Sequence, residues 1–138
     1  MIAPVVDEGA TSVDVYFPFQ LYYKFTNNDD DCFELIDMTS GGSTVNVPTP
    51  LESTNVYIKG DSIIPMQSAA MTTTESRNSD YVLFVGLCPM GNGSGMLYSD
   101  DGDSIITDTI SKLIVKFTAT VTGTTGQFTS VVDINNNN

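Results

Sequence analysis

The sequence predicts an all-β protein of two small packed β-sandwich units of antiparallel strands, the second of them truncated. Short segments alternate apolar and polar residues with a period of two, as at residues 12–17 and 113–121. Clusters of Gly, Pro, Asn and Asp separate these segments, and no apolar pattern at helical spacing is long enough for a substantial helix. Many short strands divided by turn residues are typical of sandwiches.

The first predicted unit covers residues 1–68. Strands are expected at 12–17, 20–26, 33–38, 44–47, 55–58 and 62–66. Pro18 ends the first of them, and Pro48 and Pro50 form a stiff connection because proline fixes φ and lacks an N–H donor. Residues 59–61 form the turn between the last two strands.

A linker at residues 69–80 and a partial second unit at residues 81–138 follow. The linker has room for one helical turn, but three consecutive threonines oppose a long helix. Strands are expected at 81–87, 96–99, 113–121 and 127–134, with a Gly-rich loop at 89–95. The last two strands form a hairpin whose four-residue loop is 123–126.

The charge balance excludes several partners. Acidic residues number 17 against 5 basic ones, for a net charge of −12, and the five cations are scattered. Phosphate contact needs a basic surface, so we expect no nucleic acid and no membrane as partner. No segment approaches the roughly twenty apolar residues of a membrane helix. No signal peptide is visible, yet the acidic, Ser/Thr-rich composition favours an extracellular or secretory location.

Few residues offer catalytic or covalent chemistry. The chain has no histidine, which removes the commonest general base and zinc ligand. Cys32 and Cys88 are candidates for a disulfide worth about 4 kcal/mol in an oxidising compartment, with two buried thiols as the alternative. Asn92 begins the sequon Asn-Gly-Ser and is a candidate for N-glycosylation.

Acidic and aromatic residues offer two further candidate sites. Asp100, Asp101 and Asp103 lack the spacing and the terminal Glu of a calcium loop, so solvated turn residues are favoured over a loose calcium site. No other cofactor is expected. Candidates for sugar contact, in a chain without tryptophan, are Tyr16, Tyr22, Tyr23 and Tyr57.

Two passages carry a resemblance to a known family. They are Val56-Tyr-Ile-Lys-Gly-Asp-Ser-Ile-Ile-Pro-Met-Gln67 and Leu97-Tyr-Ser-Asp-Asp-Gly-Asp-Ser104. In this order they resemble the accessory region that follows the catalytic barrel in α-glucosidases of glycoside hydrolase family 31. The segment at 4–18 resembles the stretch that leaves the last barrel strand. The similarity covers roughly residues 4–121, although the segment at 21–27 lacks the family's Trp, Asp and Gly.

The resemblance implies a proximal β-sandwich at about residues 10–68 and the start of a distal one at about 80–134. The family's catalytic aspartates lie in the barrel, upstream of the matching region, so no catalytic residue carries over and we expect no enzyme activity. The distal domain of relatives has further strands, so ending at this hairpin leaves an open sheet edge.

Three functions fit these observations. The first is a non-catalytic structural or interaction module that assembles through strand edges into a homo-oligomer or filament. The second is a fragment of a family 31 α-glucosidase that supports the catalytic barrel. The third is a carbohydrate-binding module that holds glycans through its tyrosines.

Overall fold

The computed structural model describes residues 1–25, 33–103 and 112–135. They form two compact units, Met1–Gly60 and Asp61–Asn138. Strands account for nearly all of the regular structure in both units, with one short helix. The predicted all-β fold class is confirmed.

The first unit contains two antiparallel sheets. Its strands are β1 (Ile2–Ala3), β2 (Ser12–Phe17), β3 (Leu21–Phe25), β4 (Phe33–Asp37), β5 (Ser43–Pro48) and β6 (Asn55–Lys59). Four of them form a sheet in the order β1-β6-β3-β4, while β2 pairs with β5. In the larger sheet, Tyr22 of β3 lies opposite Ile36 on one side and Lys59 on the other.

Side chains from both sheets form the core of the first unit. Phe17 is fully buried, and its ring meets those of Tyr22 and Tyr57 edge-on at centroid distances of 5.3 and 4.9 Å. Edge-to-face contacts of this kind are favourable for aromatic rings. Val15 and Phe17 point inward while Tyr16 is exposed, so the period-two pattern of β2 encodes the two faces of a sandwich strand.

The second unit contains one sheet in its described residues. Its elements are β7 (Ser62–Met66), α1 (Thr73–Arg77), β8 (Val82–Gly86), β9 (Asn92–Ser99), β10 (Lys112–Thr122) and β11 (Thr125–Asn135). The sheet order is β11-β10-β9-β7-β8. Neighbours are antiparallel except β7 and β9, which run parallel.

The boundary between the units lies before β7, whereas the first unit was predicted to extend to residue 68. Gly60 and Asp61 form the turn between β6 and β7, where Asp61 takes a φ of +79°. Two short strands around a turn are typical of a local hairpin, but β7 pairs with β8 and β9 instead. The partners of β7 are distant in sequence, so the local pattern does not identify them.

The predicted Gly-rich loop at 89–95 is in part a strand. β9 already begins at Asn92, and a Cβ atom on Gly95 would collide with the carbonyl oxygen of Ile63. Real Cβ atoms do not approach a backbone oxygen so closely. The glycine therefore permits the close parallel pairing of β7 and β9.

The core of the second unit covers one face of its sheet. Ile63, Val115, Phe117 and Ala119 are buried there. Partly buried residues pack against them, namely Leu83, Leu87 and Leu97. The described residues of this unit contribute a single layer of strands, and the predicted truncation of the second sandwich stays a prediction.

The predicted linker contains α1, which is bound to the second unit. The Thr72 hydroxyl accepts a hydrogen bond from the Glu75 N–H at 3.2 Å and caps the helix. The Gln67 side-chain amide donates to the carbonyl oxygens of Arg77 and Ser79 at 3.2 and 2.9 Å. Nowhere in the described ranges is a helix long and apolar enough to cross a membrane.

The hairpin of β10 and β11 has a tighter turn than predicted. Thr122 lies opposite Thr125, so the loop has two residues rather than the four expected from the flanking glycines. Gly123 takes a φ of +60°, as the first position of a type II′ turn requires. Such turns match the twist of the flanking strands, so pairing continues to the tip.

Candidate functional site

The structure disperses the tyrosines predicted to contact sugar. Tyr22 and Tyr57 are 6% and 1% exposed in the core of the first unit, so neither presents a ring face for stacking. Tyr23 is half-buried in β3. Tyr16 is 61% exposed on the outer face of β2. Sequence alone gives the spacing of these residues but not which ones complete the core.

The Tyr57 hydroxyl is buried and has no hydrogen-bond partner among the described residues. Burial raises the pKa of this phenol, and the negative charge of Glu34 raises it further. An unpaired buried hydroxyl costs about 1–3 kcal/mol. The Tyr57 hydroxyl therefore lowers the stability of the core, whereas the Tyr57 ring adds favourable contacts to it.

The aspartates at 100–103 hold a turn and anchor α1. The Arg77 Nη2 atom donates to the Asp100 carbonyl oxygen at 2.6 Å and lies 3.6 Å from the Asp100 carboxylate. That carboxylate accepts the Gly102 N–H at 2.9 Å, and Asp101 accepts the Asp103 N–H at 3.2 Å. The carboxylates are thus engaged in the roles that turns give to aspartate.

The calcium alternative gains no support from this arrangement. Across the part of the chain that the structure describes, no three His, Cys, Asp or Glu residues are grouped to hold a metal ion. Tyr98 lies beside this turn. Its pKa is raised, chiefly by burial and further by a hydrogen bond to the Asp100 side chain. The contacts described for Asp100 and Asp101 are those that hold the turn.

Sequence reasoning predicted a turn at residues 100–102 but missed the Arg77 side chain that packs on Gly102. The φ of Gly102 is +76°, and a Cβ atom there would lie 2.7 Å from the Arg77 guanidinium carbon. The glycine allows the guanidinium to lie against the turn. The Asp-Asp-Gly sequence signals a turn but does not reveal which cation packs on it.

Two candidate modification sites have different environments. Asn92 is exposed and opens β9 opposite Thr120, so its sequon begins in a strand. Cys88 is half-buried, whereas Cys32 lies outside the described residues. The Cys32–Cys88 disulfide therefore stays a prediction.

The first unit has an open cavity of about 640 Å³ between two segments, residues 4–11 and residues 49–54. Val6 and Leu51 line it, Val6 being 84% exposed and Leu51 fully exposed. The buried Asn55 side chain braces the second segment by donating to the Thr49 hydroxyl and to a backbone carbonyl. Exposed apolar side chains around a wide cavity are typical of an interaction surface.

The second unit has an open edge at β11. This strand has 11 residues and a neighbour on one side, β10, in the described residues. It exposes apolar side chains on both faces, with Phe128, Val131 and Val132 49%, 55% and 53% exposed. Phe128 stacks on Phe117 at a centroid distance of 6.1 Å.

Comparison with known proteins shows which family this chain is similar to. Residues 1–64 match the family described as the glycosyl hydrolase family 31 C-terminal domain. An α-glucosidase of Hordeum vulgare is 36% identical over 104 residues, which are 75% of this chain and 11% of that protein. The lysosomal α-glucosidase of Rattus norvegicus is 33% identical over 117 residues, covering 76% of this chain and 12% of its own length.

Solved structures share the fold over most of the chain. A family 31 dextranase of Flavobacterium johnsoniae, complexed with glucose, superposes with a TM-score of 0.71 and 27% identity over 87% of this chain and 14% of the dextranase. A glucosidase II α subunit gives a TM-score of 0.68 with 22% identity, over 86% of this chain and 13% of that subunit.

The relatives are many times longer than this chain, and the match falls on one part of each of them. The chain belongs to glycoside hydrolase family 31 and corresponds to its C-terminal region, which confirms the predicted resemblance. The chain spans between 11% and 14% of the length of the relatives and solved structures described above.

Proposed function

We propose that this chain supports the catalytic barrel of an α-glucosidase and carries no catalytic residue itself. The cavity of the first unit carries this proposal, because Val6 and Leu51 expose apolar surface that an adjoining domain would cover. The first unit, Met1–Gly60, nearly coincides with the part that matches the family's C-terminal domain.

The chemistry of the described residues favours a supporting role. Retaining glycoside hydrolysis needs two carboxylates about 5 Å apart across a sugar site. Asp100 and Asp101 instead accept backbone hydrogen bonds within their own turn. A supporting domain contributes to catalysis by holding the reacting groups of the barrel in position.

A chimeric enzyme tests this function. We would replace the matching region of the Hordeum vulgare α-glucosidase with this chain and measure activity and thermal stability. We expect an active chimera, and we expect Val6→Asp and Leu51→Asp each to lower its melting temperature by several degrees, because each buries a charge.

Phe19→Asp is the matched control. Phe19 is also in the first unit and 67% exposed, but it does not line the cavity. Equal effects of the substitutions at Phe19, Val6 and Leu51 would contradict the proposal. The isolated chain should hydrolyse no α-glucoside, and activity above background would contradict its non-catalytic assignment.

A secretory or extracellular location is part of this proposal. One relative is named as a lysosomal enzyme, and the exposed Asn92 sequon is accessible for glycan attachment. Secretion of the chain from a eukaryotic host should yield a protein whose mass falls on treatment with peptide N-glycosidase. Asn92→Gln and Ser94→Ala should abolish that change, and a wild-type mass unaffected by the enzyme would remove Asn92 as a site.

A second candidate function is self-assembly through strand edges. The observation that favours it is β11, a long edge strand with exposed apolar side chains. Such edges accept strands from other chains. Sedimentation of the purified chain over a range of concentrations tests this function, and a monomer throughout that range would end it.

A further inference from the structure

We infer that the outer edge of β11 pairs with β11 of a second copy of this chain, antiparallel and about a twofold axis through Ser130. This inference rests on the self-assembly function proposed above and specifies its contact. β11 has 11 residues and is the last strand in the sheet order. It contains one charged residue, Asp133, and no proline.

The tight turn decides which backbone groups of β11 point outward. In a two-residue hairpin the flanking pair, here Thr122 and Thr125, exchanges both hydrogen bonds. Bonding alternates along an antiparallel ladder, so the odd-numbered residues of β11 bond to β10. The N–H and C=O groups that point to the open edge are those of residues 126, 128, 130, 132 and 134.

A second antiparallel strand must pair even-numbered residues with even-numbered residues. Centring the pair on Ser130 overlaps the full strand and places Ser130 opposite its own copy. Phe128 then lies opposite Val132 of the second copy, and Val132 opposite Phe128. These two side chains lie on the core face of the sheet, because they pair with Ala119 and Val115 of β10. About half of each is exposed, so the contact covers apolar surface in two places.

The charges on β11 permit this contact although the chain carries a net charge of −12. The Lys116 Nζ atom lies 3.7 Å from the Asp133 carboxylate of the same chain. In the twofold register Asp133 lies opposite Gln127 of the second copy, whose amide can donate to it. The two Asp133 carboxylates are then separated by about 20 Å along the strand, since a strand rises about 3.3 Å per residue. Salt at physiological strength screens charges over about 8 Å.

The strand at the other edge of the sheet, β8, is a poorer site for pairing with a second copy of the chain. β8 has five residues, so it offers fewer outward backbone groups than β11. Pairing β11 of one copy with β8 of the next would also not close, and it would generate a growing series of oligomers. The twofold contact predicts a dimer alone.

A proline at the centre of the contact gives a sharp test. Ser130→Pro removes an N–H that does not bond to β10, and edge strands accept proline at such positions. Ser130→Ala changes the same side chain but keeps the N–H. We expect the wild-type chain to dimerise with rising concentration in analytical ultracentrifugation. Ser130→Pro should raise the dimer dissociation constant by about tenfold or more, whereas Ser130→Ala should leave it nearly unchanged.

A charge exchange tests the register and remains informative if Ser130→Pro unfolds. Phe128→Lys alone and Val132→Glu alone should each produce monomers, because a charge then faces an apolar side chain. Together they should restore the dimer, since each introduced lysine faces an introduced glutamate of the second copy. Circular dichroism melts of every variant establish that the monomers are folded.

Three outcomes would count against the inference, and they separate it from the function on which it rests. A wild-type monomer at every concentration overturns both the self-assembly function and the contact. A wild-type dimer that survives both Ser130→Pro and the single charge substitutions keeps self-assembly but overturns the β11 contact. A growing series of oligomers overturns the twofold register.

Discussion

Tyr57 shows how one buried atom can limit the stability of a well-packed core. Its ring packs edge-on against Phe17, while its hydroxyl is buried without a partner among the described residues. The ring contributes favourable contacts, and the hydroxyl imposes a desolvation cost. The residue thus combines a gain and a loss in one side chain.

We predict that Tyr57→Phe stabilises the chain. It removes the unpaired hydroxyl and keeps the ring, so the free energy of unfolding should rise by about 1 kcal/mol in urea titration. The pKa of Tyr57 is raised above its ordinary value of 10.0. The free energy of unfolding of the wild type therefore falls as the pH rises above that value, because the phenol ionises more readily in the unfolded state than in the folded state. The variant should lose less stability in that alkaline range, and a destabilised variant would contradict the assignment.

Gly95 is a second residue whose importance comes from contact rather than flexibility. We predict that Gly95→Ala destabilises the second unit by about 1–3 kcal/mol or more, because its Cβ would collide with the Ile63 backbone oxygen. Gly126→Ala is the control, since a Cβ there meets only Val121 at 3.7 Å. The control should keep the unfolding midpoint or raise it slightly. Equal denaturation midpoints for the Gly95 and Gly126 variants would show that β7 and β9 do not pack as closely as described.

At the scale of elements, α1 is too short to be stable by itself. A helix of five residues gains little from its own hydrogen bonds, so contacts with its surroundings must hold it. Those contacts are the Thr72 cap, the Gln67 amide and the Arg77 interaction with Asp100. The first two hold α1 to its own flanking residues, and the Arg77 interaction attaches it to the loop that follows β9.

We predict that Arg77→Ala loosens α1 and the Asp100 turn locally. Because the Arg77 side chain is half-exposed, the global free energy of unfolding should fall by about 1 kcal/mol or less. Amide exchange at residues 72–79 and 100–103 should accelerate much more than exchange in β10. Lys116→Ala removes an exposed ion pair and should leave exchange in α1 unchanged. Unchanged exchange in α1 for Arg77→Ala would show that other contacts suffice.

At the scale of the whole molecule, the net charge of −12 opposes compaction through self-repulsion. We predict that NaCl raises the melting temperature by screening this repulsion. Calcium chloride at matched ionic strength should give nearly the same melting temperature, because the carboxylates of Asp100 and Asp101 are engaged in their own turn. A clearly larger effect of calcium, reversed by a chelator, would reveal a cation site at that turn.

The two candidate surfaces differed in how far sequence could predict them. The last hairpin was predicted because the alternation at 113–121 and 127–134 is local and strong, and its open edge was expected from the resemblance to relatives with further strands. The cavity between residues 4–11 and 49–54 was missed, because its walls meet only through the pairing of β1 with β6 and β2 with β5. A local pattern does not record which distant segments come together.

The sequence by itself determined the strand content, the inward and outward faces of strands such as β2, and membership of family 31. These properties depend on alternation over a few residues and on short motifs in a fixed order, which are written directly in the chain. Tertiary structure alone decided that β7 joins the second unit, that Gly95 permits close parallel pairing of β7 and β9, and that Tyr22 and Tyr57 are buried while Tyr16 is exposed. Each of these depends on partners distant in sequence, and the free energy of packing against them selects one arrangement among many with the same local pattern.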